Sequence, residues 1–353
     1  MVQHRTTNRE MIGYDHSAAQ PKAIVERTAM IATPTVSIVL PTFNRGNILR
    51  SAVESVLALD EELFELIIVD DGSTDNTKHE LRGLPADPRI TILALEFNAG
   101  ANVARNAGIS AARAPYVAFL DSDDAFLPGR LRQPLQILRR YRHVGMVLSA
   151  FTTEKAAKTT VFSMPQRVYT GRDMLRLVAR RVIQPTTSGL TVRRDILHAV
   201  GGFDPTLNRM QDSDLVMRVA QKTMAATIAE PLWHKRWQHD GISSRRETYL
   251  PALLALIARH AIYQGEELET RDYLLARHLL ALAKSMHFRQ LQRDYNLALE
   301  QLAPRPPPLR RLFRKYRSSR RERHRLRRSL LSGETATGML DAPAHSPIHS
   351  NAP

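Results

Sequence analysis

Val36-Ser37-Ile38-Val39-Leu40-Pro41-Thr42-Phe43-Asn44-Arg45 is the stretch on which the fold turns. Its apolar run is short, β-branched and almost unbroken, as in a strand buried on both faces, and Pro41 is expected to stop it. Ile48 to Leu57 then carries apolar residues at helical spacing. The same alternation repeats outward. Leu66-Ile67-Ile68-Val69, Ile90 to Leu95 and Tyr116 to Leu120 read as strands; Thr74 to Leu81 and Ala101 to Ala112 read as helices. Continuous apolar strands joined by crossover helices predict an α/β fold, with a Rossmann-like, mostly parallel central sheet flanked by helices.

In such a sheet a ligand lies beyond the carboxyl ends of the strands. Those ends are polar here: Thr42 and Asn44 after the first, Asp70 and Asp71 after the second, Asp121-Ser122-Asp123-Asp124 after a later one. Residues two apart on an extended backbone point the same way, so Asp121 and Asp123 can converge on one hard cation such as Mg2+ or Mn2+. A solvated acidic turn is the plainer reading of that cluster; its place after a buried strand favours the metal. Asp70 and Asp71 can accept hydrogen bonds from a base or a ribose, although Asp-Gly-Ser also suits an ordinary turn.

Other residues have weaker signals. Arg105 can pair with phosphate or orient the acids. Asp212 and Asp214 open a helix, where the dipole alone accounts for one acid; Asp212 is the candidate base for deprotonating a hydroxyl. His234 and His239 flank Trp237; a lone histidine is more often structural, but beside a metal site His239 would serve as a third ligand or phosphate contact.

The chain of 353 residues has a formal charge of +15, but the excess is local. Between Arg305 and Arg328 stand twelve Arg or Lys and one Glu, so the rest is close to neutral. The expected division is an unstructured segment over 1–34, the sheet domain over 35–240, a helical C-terminal region over 241–303, a basic amphipathic segment over 304–331 and an unstructured tail over 332–353. Zero cysteines exclude disulfides and thiolate metal sites. No run reaches the ~18–20 apolar residues of a membrane span, and no secretory signal is read. GxGxxG is absent after the first strand, which argues against a dehydrogenase.

Five segments, in this order, resemble the family 2 glycosyltransferases of GT-A fold: Val36 to Arg45; Ile68 to Asp75; Asn98-Ala99-Gly100 with Ala104 to Gly108; Phe119 to Asp124; and Gly202-Phe203-Asp204 followed by Gln211 to Leu215. The likeness runs from about Val36 to His239. It implies an inverting transferase that passes a sugar from a nucleoside-diphosphate donor to an acceptor hydroxyl, in cell-surface polysaccharide or glycoconjugate synthesis, with Mn2+ or Mg2+. By position, Pro41, Thr42, Asn44, Asp70 and Arg105 would line the nucleotide pocket, joined by Asp71 and by Asp121 and Ser122 on the nucleotide-sugar. Asp121 and Asp123 match the DXD motif, with Asp123 the direct ligand, and Asp212 matches the base. The usual acid before that base is Gln211 here. A UDP-sugar is implied by the resemblance alone, and the acceptor is expected to be a glycan or a lipid-linked molecule.

After the prolines, Leu309, Leu312, Phe313 and Tyr316 fall at i, i+3, i+4 and i+7 among cations. That pattern predicts a basic amphipathic helix suited to an anionic membrane surface through 305–328. The expected location is cytoplasmic, or peripheral on the inner face of the cytoplasmic membrane. The alternative is a nucleic-acid- or membrane-binding protein acting through this tail, with a non-catalytic nucleotide-binding domain; a nucleic-acid partner is not expected.

Overall fold

A computed structural model describes residues 8–12, 23–27, 33–59, 63–155, 158–236 and 246–332. In chain order the elements are β1 (Asn8–Ile12), β2 (Ala23–Arg27), β3 (Val36–Thr42), α1 (Gly46–Leu57), β4 (Phe64–Asp70), α2 (Thr77–Arg82), β5 (Ile90–Leu95), α3 (Ala101–Ala111), β6 (Tyr116–Phe119), β7 (Asp124–Phe126), α4 (Arg132–Arg140), β8 (Val144–Lys155), β9 (Lys158–Phe162), β10 (Arg167–Tyr169), α5 (Gly171–Ala179), β11 (Leu190–Arg193), α6 (Arg194–Ala199), α7 (Gln211–Ala220), β12 (Met224–Lys235), α8 (Tyr249–Arg259), α9 (Leu268–Lys284), α10 (Phe288–Gln301) and α11 (Leu309–Ser332).

These strands form one sheet in the order β1-β2-β5-β4-β3-β6-β11-β8-β12-β10, with β7 on β12 and β9 on β8. The central four, β5-β4-β3-β6, are parallel, and β12 lies parallel to β8. β11 runs antiparallel between β6 and β8, so the carboxyl ends of β3, β4, β6, β8 and β12 share one side.

Period-two alternation divides the core. Ile38, Leu40, Leu66 and Ile68 pack with Leu49 and Val53 of α1 and Leu135 of α4, whereas Val39, Ile67 and Val69 face the layer of α3, α5 and α7. Gly108 permits that second layer: a Cβ there would lie 2.4 Å from a methyl of Val39, so only glycine lets α3 seat on β3.

Three expectations are corrected. β3 continues through Pro41 to Thr42, in register with Val69 and Asp70 of β4. Its ladder with β6 ends at Val39, so the missing N–H falls where one flank of the strand is already unpaired. Within the segment expected to be unstructured, β1 and β2 form a hairpin whose second strand, Ala-Ile-Val-Glu-Arg, pairs with the otherwise unpaired edge of β5.

The third correction concerns the basic helix. Leu312 is fully buried, Leu309, Phe313 and Tyr316 pack against the core, and Tyr316 stacks on Tyr273 of α9 at 5.1 Å. The apolar face read as a membrane anchor is therefore spent inside the protein. Folding buries it because α9 presents a complementary apolar face in the same core as α7 and α8. Among the described residues no helix is long and apolar enough to cross a membrane. The tail beyond 332 lies outside the described residues.

Candidate active site

The crevice forms where the loops after β3, β4 and β6 meet. Its first wall is a pair of interlocked loops. Asn44 adopts a left-handed backbone (φ 52°), donates its N–H to Ser73 Oγ (2.9 Å), and accepts from the Thr74 N–H at Oδ1 (2.9 Å). Ser73 in turn donates its N–H to Asp70 Oδ1 (3.0 Å). Thr42 is buried in register with Asp70, and its Oγ1 has no hydrogen-bond partner.

Asp71 turns the other way. Its carboxylate accepts from the Ala99 N–H (2.8 Å), the Gly100 N–H (2.9 Å) and Asn98 Nδ2 (3.1 Å). Asp71 holds the loop that starts α3. Burial raises its pKa, partly offset by those two backbone donors.

Arg105 of α3 reaches the acids after β6. Its Nη2 lies 2.6 Å from Asp121 Oδ1, its Nη1 donates to Asn102 Oδ1 (3.1 Å), and its guanidinium sits over the Phe203 ring at 5.2 Å. The contact Arg105 makes here is with the acids after β6. Ser188 supports the same cluster: its Oγ accepts from the Asp121 N–H (3.1 Å) and donates to Asp124 Oδ2 (2.6 Å). Arg130, fully buried, fixes Ser188 by donating to its carbonyl and to that of Leu190. Burial, and then repulsion from Asp121, raises the pKa of Asp123; Asp124 is pushed up further by burial and by both neighbouring carboxylates.

The base candidate comes to this cluster through α3. Asn106 brackets Phe203, donating to its carbonyl (2.7 Å) and accepting from its N–H (2.8 Å). Asn102 donates to the carbonyls of Asp204 (2.8 Å) and Leu207 (2.7 Å). Gly202 is required, because its φ is +65° and a Cβ would meet Asn106 Oδ1 at 2.4 Å. This stapled loop delivers Met210, itself left-handed, and then Asp212 in the first turn of α7. Burial raises the Asp212 pKa, against a hydrogen bond from the Ser213 N–H and the charges of Arg181, Lys235 and Arg105. Arg105 pairs with Asp121, while Asn102 and Asn106 of the same helix hold the loop that leads to Asp212.

Asn102, Asn106, Arg130, Ser188 and Lys235 were not singled out in the sequence. The i, i+4 pair Asn102 and Asn106 on one face of a helix was the only local signal. Ser122 is buried beside Asp121. His239 lies outside the described residues, and among those described no group of three His, Cys, Asp or Glu is preformed as a metal cage.

The model of glycosyl transferase family 2 matches residues 37–200. The chain carries a family 2 glycosyltransferase domain. This domain is 41% identical over 108 residues to the succinoglycan biosynthesis protein ExoO of Rhizobium meliloti, covering 31% of each chain. The chain spans 31%, 64% and 42% of the length of three curated relatives that it matches. The likeness to solved structures extends further along the chain than the family match. The structure of S. aureus TarS 1–349 in complex with UDP-GlcNAc aligns over 87% of this chain and 95% of that one, with TM-score 0.56 and 16% identity. Mannosyltransferase PcManGT from Pyrobaculum calidifontis, in complex with GDP-Man and Mn2+, aligns over 86% and 87%, with TM-score 0.53 and 18% identity. At such identities the likeness establishes the α/β fold, including helices beyond the family match.

Proposed function

We propose that the protein transfers a sugar from a nucleoside-diphosphate donor to an acceptor hydroxyl with inversion, in polysaccharide or glycoconjugate synthesis. Supporting this reading is the ion pair of Arg105 with Asp121 after β6, made from the same helix whose Asn102 and Asn106 hold the loop leading to Asp212. Asp70 and Thr42 at the ends of β4 and β3 offer the nucleotide a carboxylate and an unsatisfied hydroxyl.

The donor set fits a divalent ion. Asp121 and Asp123 are hard oxygen ligands that repel each other, and a cation relieves that repulsion. Two protein carboxylates with phosphate and water completing the shell suit Mg2+ or Mn2+, which keep several waters. Such an ion supplies charge neutralisation at a departing diphosphate. The protein's own part is to accept the acceptor's proton at Asp212, to hold Asp121 against Arg105, and to keep α3 and α7 in one frame through Asn102 and Asn106. Direct displacement requires no enzyme nucleophile.

A sugar polymer or lipid-linked acceptor is consistent with the relative in succinoglycan biosynthesis. The cationic face of α11 supports peripheral attachment by charge to an anionic membrane, without insertion of the buried apolar face. Calorimetric titration with uridine, guanosine and thymidine diphosphates, with and without Mn2+, tests the donor site. Metal-enhanced binding of one, lost in Asp123→Ala, is the expected result. A folded protein that binds none of them refutes the proposal.

A further inference from the structure

Lys235 closes β12 on the same side of the sheet as the strand ends that build the crevice. Its Cα is in register with Asp124 across the antiparallel β7–β12 pair. The next residue pins the strand end there, because the Arg236 N–H donates to Asp124 Oδ1 (3.3 Å). Backbone pairing therefore decides where the ammonium stands, beside the acids that follow β6.

The cations of the crevice differ in their commitments. Arg105 is held by Asp121 and Asn102. Lys235 is half-buried, and among the described residues no hydrogen bond or ion pair takes up its ammonium. Its charge acts on Asp123, Asp124 and Asp212, in each case against the larger effect of burial. Lys235 is thus an uncommitted cation on the strand end that pairs with Asp124.

We infer that Lys235 is a binding residue for the donor's diphosphate, contacting the phosphate next to the sugar. This rests on the donor-site reading above. A diphosphate entering beside Asp121, Asp123 and Asp124 brings more negative charge into an acidic crevice. A compact ammonium with three rotatable donors meets a terminal phosphate as a point charge. Its anchorage on β12 holds the root of that side chain opposite Asp124.

The test is titration of the full chain with UDP, UMP, GDP and GMP, each with and without Mn2+, in wild type, Lys235→Met and Lys235→Arg, with thermal unfolding confirming that each is folded. If Lys235→Met does not fold, Lys235→Gln takes its place. Expected is a loss of about tenfold or more in diphosphate affinity in Lys235→Met, the scale of one charge-assisted hydrogen bond, with monophosphate affinity unchanged and Lys235→Arg largely restored. Equal losses for mono- and diphosphates, or no loss, overturn the assignment while leaving the donor site standing. Wild type that binds no nucleotide overturns the donor-site reading and this assignment with it.

Discussion

His260 Nε2 lies 3.0 Å from Asp214 Oδ1, both residues buried, joining the segment after α8 to the first turn of the helix that carries Asp212. The other Asp214 oxygen accepts from Arg218 at 2.6 and 2.9 Å, and Arg218 also donates to the carbonyls of Val200 and Gly202. The C-terminal helices thus brace the base-bearing helix from behind. His260→Ala is expected to lower stability by about 1.5–3 kcal/mol, the range for a hydrogen bond to a charged group, read as a lower urea midpoint.

The same site sets an acid limit. Burial alone would raise the Asp214 pKa, but the hydrogen bonds from His260 and Arg218 outweigh it and hold the carboxyl below its ordinary range. A depressed carboxylate pKa contributes stability that is present above the unfolded value of about 3.9 and is lost as pH falls through the folded value. Asp214→Asn should therefore cost stability at pH 7, and the gap between wild type and variant should narrow in unfolding curves taken at successively lower pH.

Asp212→Asn is expected to reduce kcat by roughly 10²–10⁴-fold, the usual worth of general base catalysis, with nucleotide affinity retained. Because burial raises the pKa of this aspartate, the acid limb of wild-type kcat should lie above the ordinary aspartate range. Loss of nucleotide binding in the variant would remove Asp212 from the role of base.

Asn106→Ala removes both hydrogen bonds that bracket Phe203. Each freed backbone group on the 201–210 loop loses its partner, at a total cost of about 1–3 kcal/mol. Since that loop aims Asp212, kcat should fall several-fold while diphosphate Kd stays within about twofold, a split expected of a misplaced base. An equal change in both would show that Asn106 supports the donor side instead.

Leu312→Ala tests the placement of the basic helix. A fully buried leucine in a shared core costs about 2–5 kcal/mol on truncation, so Tm should drop clearly. An unchanged Tm would mean that α11 does not pack on α9.

By itself, the sequence determined the parallel strands, their crossover helices and the acids at the strand ends. Those are local properties: buried strands must read as apolar runs, and chain reversals must carry polar and turn-forming residues. Asp70, Asp121 and Asp123 stood out at the strand ends for that reason, whereas spacing alone did not single out Asp212, which the family resemblance pointed to. Tertiary structure decided which polar residues face the crevice and which hold the loops. Asp71 and the Oδ1 of Asn44 go to neighbouring loops, Arg105 is bound to Asp121, and Asp214 finds His260. It also turned the apolar face of α11 inward and set Lys235 opposite Asp124. Periodicity says that a face will be buried. Its partner is chosen by strand order and helix packing, which join residues far apart in the chain and leave no trace in local spacing.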